Sequence, residues 1–165
     1  MKKNTIFISA VIFAFLVIPL AMADISCTAK TSCSTAEAYI LGMSARTNAH
    51  AALPGQSGYQ YKLCCSGNGI SADSSGSYSQ DILRISSPTN AHACAGCGYS
   101  NIAPFSLNDQ SITGMECSYV SSGDCPGSDS CIIGLSGMSN AHVSDCANKP
   151  SNYGAICCHL TLDSV

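Results

Sequence analysis

Leu135-Ser136-Gly137-Met138-Ser139-Asn140-Ala141-His142-Val143 is one of three diverged copies of a single nine-residue pattern. The others are Met43-Ser44-Ala45-Arg46-Thr47-Asn48-Ala49-His50-Ala51 and Ile85-Ser86-Ser87-Pro88-Thr89-Asn90-Ala91-His92-Ala93. They align without a gap as apolar-Ser-x-x-[Ser/Thr]-Asn-Ala-His-small. Asn-Ala-His is common to all three, which marks an internally repeated architecture. A short apolar strand candidate precedes each copy: Tyr39-Ile40-Leu41-Gly42, Asp81-Ile82-Leu83-Arg84 and Cys131-Ile132-Ile133-Gly134.

Working outward, the first and third copies are followed by a Tyr-led strand ending in paired cysteines, Tyr59 to Cys64-Cys65 and Tyr153 to Cys157-Cys158. The middle copy departs from this. The cysteine matching the pair is Cys117-Ser118, 25 residues after His92, as if about ten residues had been inserted near Gly98–Asp109 and the cysteine pair reduced to one. The expected units are therefore residues 24–65, 66–117 (with an insertion) and 118–165. Pro88 suits a type I turn, and Asn tolerates positive φ at a turn exit. Beyond the turn, alternation puts Asn and His on one sheet face and the small residues on the other. Helical periodicity is nearly absent, apart from one possible turn over 34–39. The expected fold class is all-β: disulfide-stapled tandem β repeats, packed as a sandwich or a short solenoid.

The N-terminus reads as an export signal. Met1-Lys2-Lys3 opens a basic segment, Thr5 to Leu20 is apolar, and Ala21-Met22-Ala23 is a small-x-small cleavage site, leaving a mature chain from Asp24. All twelve cysteines follow it: Cys27, Cys33, Cys64, Cys65, Cys94, Cys97, Cys117, Cys125, Cys131, Cys146, Cys157 and Cys158. An even count in an exported chain implies a disulfide framework, here six bridges. Twelve cysteines allow roughly ten thousand pairings, so spacing does not give the connectivity. Vicinal cysteines on a strand point to opposite faces, so each member of a pair should staple a different neighbour.

Seven Lys/Arg against ten Asp/Glu, with two of the lysines in the leader, leave a mildly acidic mature chain without a basic run. Nucleic acid and anionic lipid are excluded on that ground, since both require clustered cations. There is no Asn-x-Ser/Thr sequon.

His50, His92 and His142 could hold Cu²⁺ or Zn²⁺, with Asn48, Asn90 and Asn140 behind them. They could equally lock their own turns, each ring bonding a carbonyl of its hairpin. Repetition favours the lock, because ligands must converge on one point whereas repeats in a line spread equivalent residues apart. The Cys94-Ala95-Gly96-Cys97 run lacks the helix that a redox C-x-x-C requires, and reads as an extra structural disulfide. Gly134-Leu135-Ser136-Gly137 misses the nucleophile elbow, which needs Gly where Met138 stands. Asp124 and Asp129 lack the alternating oxygens of a calcium loop. No catalytic residue and no cofactor are expected.

The Ser-x-x-[Ser/Thr]-Asn-Ala-His unit with its Cys-Cys pair resembles the repeats of secreted Cys-rich surface proteins of prokaryotes, over most of the mature chain. That resemblance implies location, at the cell surface or in the medium or periplasm. The first functional expectation is a structural subunit of a surface, matrix or filament, self-associating through edge strands. The exposed partner strand is expected at Ala155–Leu162, meeting the Asp24-Ile25-Ser26 end of the next copy. The alternative is a secreted binding module for a transition metal or glycan, using the Asn/His face and Tyr59, Tyr61, Tyr99 and Tyr153.

Overall fold

A computed structural model describes residues 24–67, 69–73, 76–103 and 105–163; the expected export signal, residues 1–23, lies outside them. The first unit contains β1 (Ser26–Lys30), β2 (Ala38–Met43), β3 (Ala51–Ala52) and β4 (Tyr61–Ser66), joined antiparallel in the order β1-β4-β2-β3. The middle unit contains β5 (Ile70–Ser71), β6 (Tyr78–Gln80), β7 (Leu83–Ile85), β8 (Ala93–Ala95), β9 (Asn101–Ile102) and β10 (Phe105–Leu107). The last contains β11 (Ile112–Val120), β12 (Ser130–Leu135), β13 (Val143–Ser144) and β14 (Gly154–Leu162), in the order β11-β14-β12-β13. The first and last sheets thus share one topology. The all-β, disulfide-stapled class holds.

The middle unit follows the same plan in fragments. Its sheets are β5-β10-β6 and β8-β7-β9. Here β6 and β7 together occupy the place of β2, and β9 and β10 the place of β4. Within 98–109, β9 and β10 are therefore the unit's own counterpart of β4 and not an insertion. The cysteine pair that marks this strand elsewhere is absent, and buried Phe105 and Leu107 fill the core from it.

Cys117 is reassigned on the same grounds. It lies on β11, which takes in the last sheet the place of β1 in the first, and it pairs with Cys158 as Cys27 pairs with Cys65. It is the counterpart of Cys27, not of the Cys64-Cys65 pair, and the last unit begins near Ile112.

The expectation for vicinal cysteines is met. Cys64 bonds Cys33 and Cys65 bonds Cys27, while Cys157 bonds Cys125 and Cys158 bonds Cys117. Cys131–Cys146 and Cys94–Cys97 complete six bridges, the last within the C-x-x-C itself. Bridges of this kind belong to an oxidising compartment, extracellular or periplasmic. Among the described residues, no helix is long and apolar enough to cross a membrane.

In both complete sheets the second strand carries a register irregularity at the same place, between Tyr39 and Leu41 and between Cys131 and Ile133. A bulge breaks strict alternation. Consecutive Ile40-Leu41 and Ile132-Ile133 can then both be buried, and they are. These residues join Met43, Leu63, Leu83, Ile85, Phe105, Leu135 and Ile156 in one core shared by all three units.

The edge expected at Ala155–Leu162 is present only in its second half. From Ala155 to Cys158 the strand β14 is paired on both sides, with β11 and with β12. Within that run only His159–Leu162 have a single partner, β11, and their other side faces Asp24 and residues 127–130 of the same chain. The reason is topological. The final strand of each sheet returns between the first two rather than outside them.

Candidate metal centre

The repeated pattern acts first on the backbone. Asn48, Asn90 and Asn140 have φ of 48°, 45° and 50°, and no other non-glycine residue among those described has positive φ. Asn enters this left-handed region at lower cost than most residues, which accounts for its place at the turn exit. Six residues before each histidine, the serine closes the turn twice. Its amide donates to the histidine carbonyl, at 3.1, 2.9 and 3.0 Å for Ser44, Ser86 and Ser136. Its hydroxyl accepts from the histidine amide, at 3.0, 3.1 and 2.9 Å. The serine, not the imidazole, locks the turn.

The residues flanking each histidine then tie the units together. Ala51 and Ala91 exchange two backbone hydrogen bonds at 2.9 Å, Ala93 and Ala141 two at 2.8 Å, and Val143 and Ala49 two at 2.9 Å. A third bond extends each pairing: Leu53 N–H to the Pro88 carbonyl, Ala95 to Met138, and Asp145 to Arg46. The series is cyclic. Unit one holds unit two, two holds three, and three returns to one, so the repeats surround a pseudo-threefold axis rather than lie in a line.

Alternation does the rest. Ala49, Ala51, Ala91, Ala93, Ala141 and Val143 turn inward and are almost wholly buried. Six side chains meeting about one axis leave room only for small ones, which explains the small columns of the repeat. His50, His92 and His142 turn the other way and are half-buried, with Asn48, Asn90 and Asn140 exposed around them.

The three imidazoles therefore converge. Their ring centroids are 5.1, 5.0 and 4.9 Å apart, and His92 Nε2 lies 3.3 Å from His142 Nε2. One ligating nitrogen from each ring can be chosen so that all lie within 4.8 Å of one another, the only such group of three or more metal-binding side chains among the described residues. Rotation, unlike translation, brings equivalent residues together, and it removes the objection to a shared site.

The surroundings suit metal ligation. His50 Nδ1 is hydrogen-bonded to Asn90 Oδ1, the side chain of the next unit. An N–H at Nδ1 leaves the Nε2 lone pair free for a metal, as an outer partner does in metal sites. Tyrosines hold the asparagines in turn: the Tyr59 hydroxyl accepts from the backbone N–H of Asn90, and the Tyr153 hydroxyl donates to Asn48 Oδ1 at 3.1 Å. Burial, with His92 and His50 beside it, pushes the His142 pKa below the ordinary imidazole value, favouring the neutral ring that a metal requires.

The remaining sequence candidates lie elsewhere. Tyr61 stacks under the Arg46 guanidinium at 5.4 Å, and the Tyr99 carbonyl accepts from Arg84. Asp129 is paired with His159 at 3.0 Å, beside a cavity of about 310 Å³ also lined by Asp24, Ser130 and Leu160. Ser136 is occupied in its turn. Sequence reasoning missed the convergence because nothing in a single copy announces a rotation. The one available signal was the small residue on both sides of every histidine, which a strand in an open stack does not need. Compared with models of protein families, with curated proteins and with solved structures, the chain finds no match in any of the three.

Proposed function

We propose that this is an exported, disulfide-hardened metal-binding module whose three repeats exist to bring His50, His92 and His142 to one point. The observation that carries this reading is the convergence of one imidazole from each unit on the pseudo-threefold axis. A tetrahedral ion with nitrogen ligands at about 2.0–2.1 Å needs those nitrogens about 3.3–3.4 Å apart. The His92–His142 separation of 3.3 Å already meets that, and one nitrogen from each of the three rings lies within 4.8 Å of the others. Imidazole donors favour zinc or copper. In a protein whose cysteines are all in disulfides, histidine is also the borderline-soft ligand that remains.

The rival reading, a cross-linked structural subunit, draws on the same disulfides. Its assembly route relied on Ala155–Leu162 as an open edge, and the first half of that run is interior. Zinc titration of the oxidised protein, followed by equilibrium dialysis, tests the choice. One equivalent should bind per chain, and His92→Gln or His142→Gln should each abolish it. Absence of stoichiometric binding, or binding indifferent to both substitutions, would overturn the proposal.

A further inference from the structure

The metal-binding reading leaves the coordination sphere incomplete, and the two sides of the axis differ in what can complete it. Inward of the histidines lie Ala49, Ala51, Ala91, Ala93, Ala141 and Val143, buried and without a donor atom in any side chain. No fourth metal-binding side chain joins the three imidazoles among the described residues. The remaining position therefore opens to solvent, as in metal sites with three protein ligands and an exchangeable one.

The rim decides what enters. Asn48 and Asn90 are exposed around the axis, and each has its Oδ1 already engaged, by the Tyr153 hydroxyl and by His50 Nδ1. An amide whose oxygen is accepting has its Nδ2 hydrogens left to donate. No carboxylate belongs to the repeated nine-residue pattern in any copy. A cation ringed by neutral donors, with no fixed negative charge in the surrounding turns, selects a ligand that is anionic and carries a second acceptor atom.

We infer that the metal held by His50, His92 and His142, if that reading holds, takes a small oxyanion of the carboxylate class from solution at its outward position, with the Asn48 and Asn90 amides donating to the oxygen that the metal does not bind. The exchange is balanced: the carboxylate displaces a bound water, and no bond within either is made or broken.

Cobalt(II) serves as the spectroscopic probe and acetate as the ligand, on the oxidised protein. Acetate should change the visible cobalt spectrum saturably. Asn48→Asp keeps an acceptor for Tyr153 but replaces the donor with a negative charge, and should weaken acetate about tenfold. A cobalt spectrum indifferent to molar acetate, in protein whose cobalt uptake is lost in His92→Gln, would overturn the oxyanion inference and leave the metal site standing. Failure to take up cobalt at all would overturn both. Saturable acetate binding unaffected by Asn48→Asp would overturn the assignment of the rim.

Discussion

At Ser44, Ser86 and Ser136 one residue closes its turn onto the histidine six positions on, by its amide and its hydroxyl, and the three environments match closely. Each Ser→Ala change removes an acceptor from a histidine amide, costing about 1 kcal/mol, or a Tm lowered by roughly 3 °C for a chain of this size. The three variants should agree, and thermal unfolding monitored by circular dichroism checks them. One serine with a several-fold larger effect would argue against equivalent turns. A second residue-scale device lies at the Ser34–Glu37 turn, where Glu37 accepts from the Ser34 amide at 2.8 Å and pairs with Lys30. The Lys30 hydrogen bond, with the Ser34 amide next, holds the Glu37 pKa near 2 against an ordinary 4.5. A depressed carboxyl contributes stability that is fully present above 4.5 and is lost as pH falls through about 2. Glu37→Gln should therefore be less stable than the parent at neutral pH, the gap closing below pH 2. An unchanged gap between pH 5 and pH 2 in chemical denaturation would contradict it. Much at this scale is legible in sequence: the positive φ of Asn, the turn at Pro88, and the opposed faces of Asn/His and the small residues all follow from residue chemistry. The serine's double closure is not, because a hydroxyl in a turn has several partners within reach.

Where a strand sits in its sheet is settled by long-range pairing, and here sequence reading falls short. The apolar, uncharged run at Ala155–Leu162 looks like an unprotected edge, yet β11 and β12 enclose its first half. Nothing local to β14 distinguishes a central strand from an edge one, since both alternate. The same limit hid β9 and β10, whose short pieces carry no cysteine marker. Those pieces have a consequence for dynamics. In the outer units, disulfides tie the final strand, β4 or β14, to the rest of its unit. In the middle unit the one bridge, Cys94–Cys97, spans a separation of 3 residues. Closing so short a loop constrains the unfolded chain far less than closing one of 30 or more, as the four bridges on β4 and β14 do. Local opening starts where ladders are short and cross-links few. Amide exchange followed by mass spectrometry should show residues 101–107 exchanging faster than 61–66 and 154–158. Equal protection across the three would show that the shared core, and not the disulfides, sets local stability.

At the scale of the whole molecule, the units close on one another through backbone pairs that flank the histidines, and closure is what turns three copies of a motif into one site. A linear array of the same units would keep every turn, disulfide and sheet, and would separate the imidazoles. The repeat count and the all-β class were legible from Asn-Ala-His and its apolar strands. The direction of propagation was not, because translation and rotation use the same local contacts until the third unit meets the first. The central claim is that this closure serves a metal. Metal K-edge absorption on the zinc-loaded, fully oxidised protein tests it most directly. The account predicts a first shell with three imidazole nitrogens at about 2.0 Å and at least one exchangeable oxygen donor, lost together in His142→Gln. A shell of oxygens without imidazole scattering, or one unaltered by His142→Gln, would contradict it.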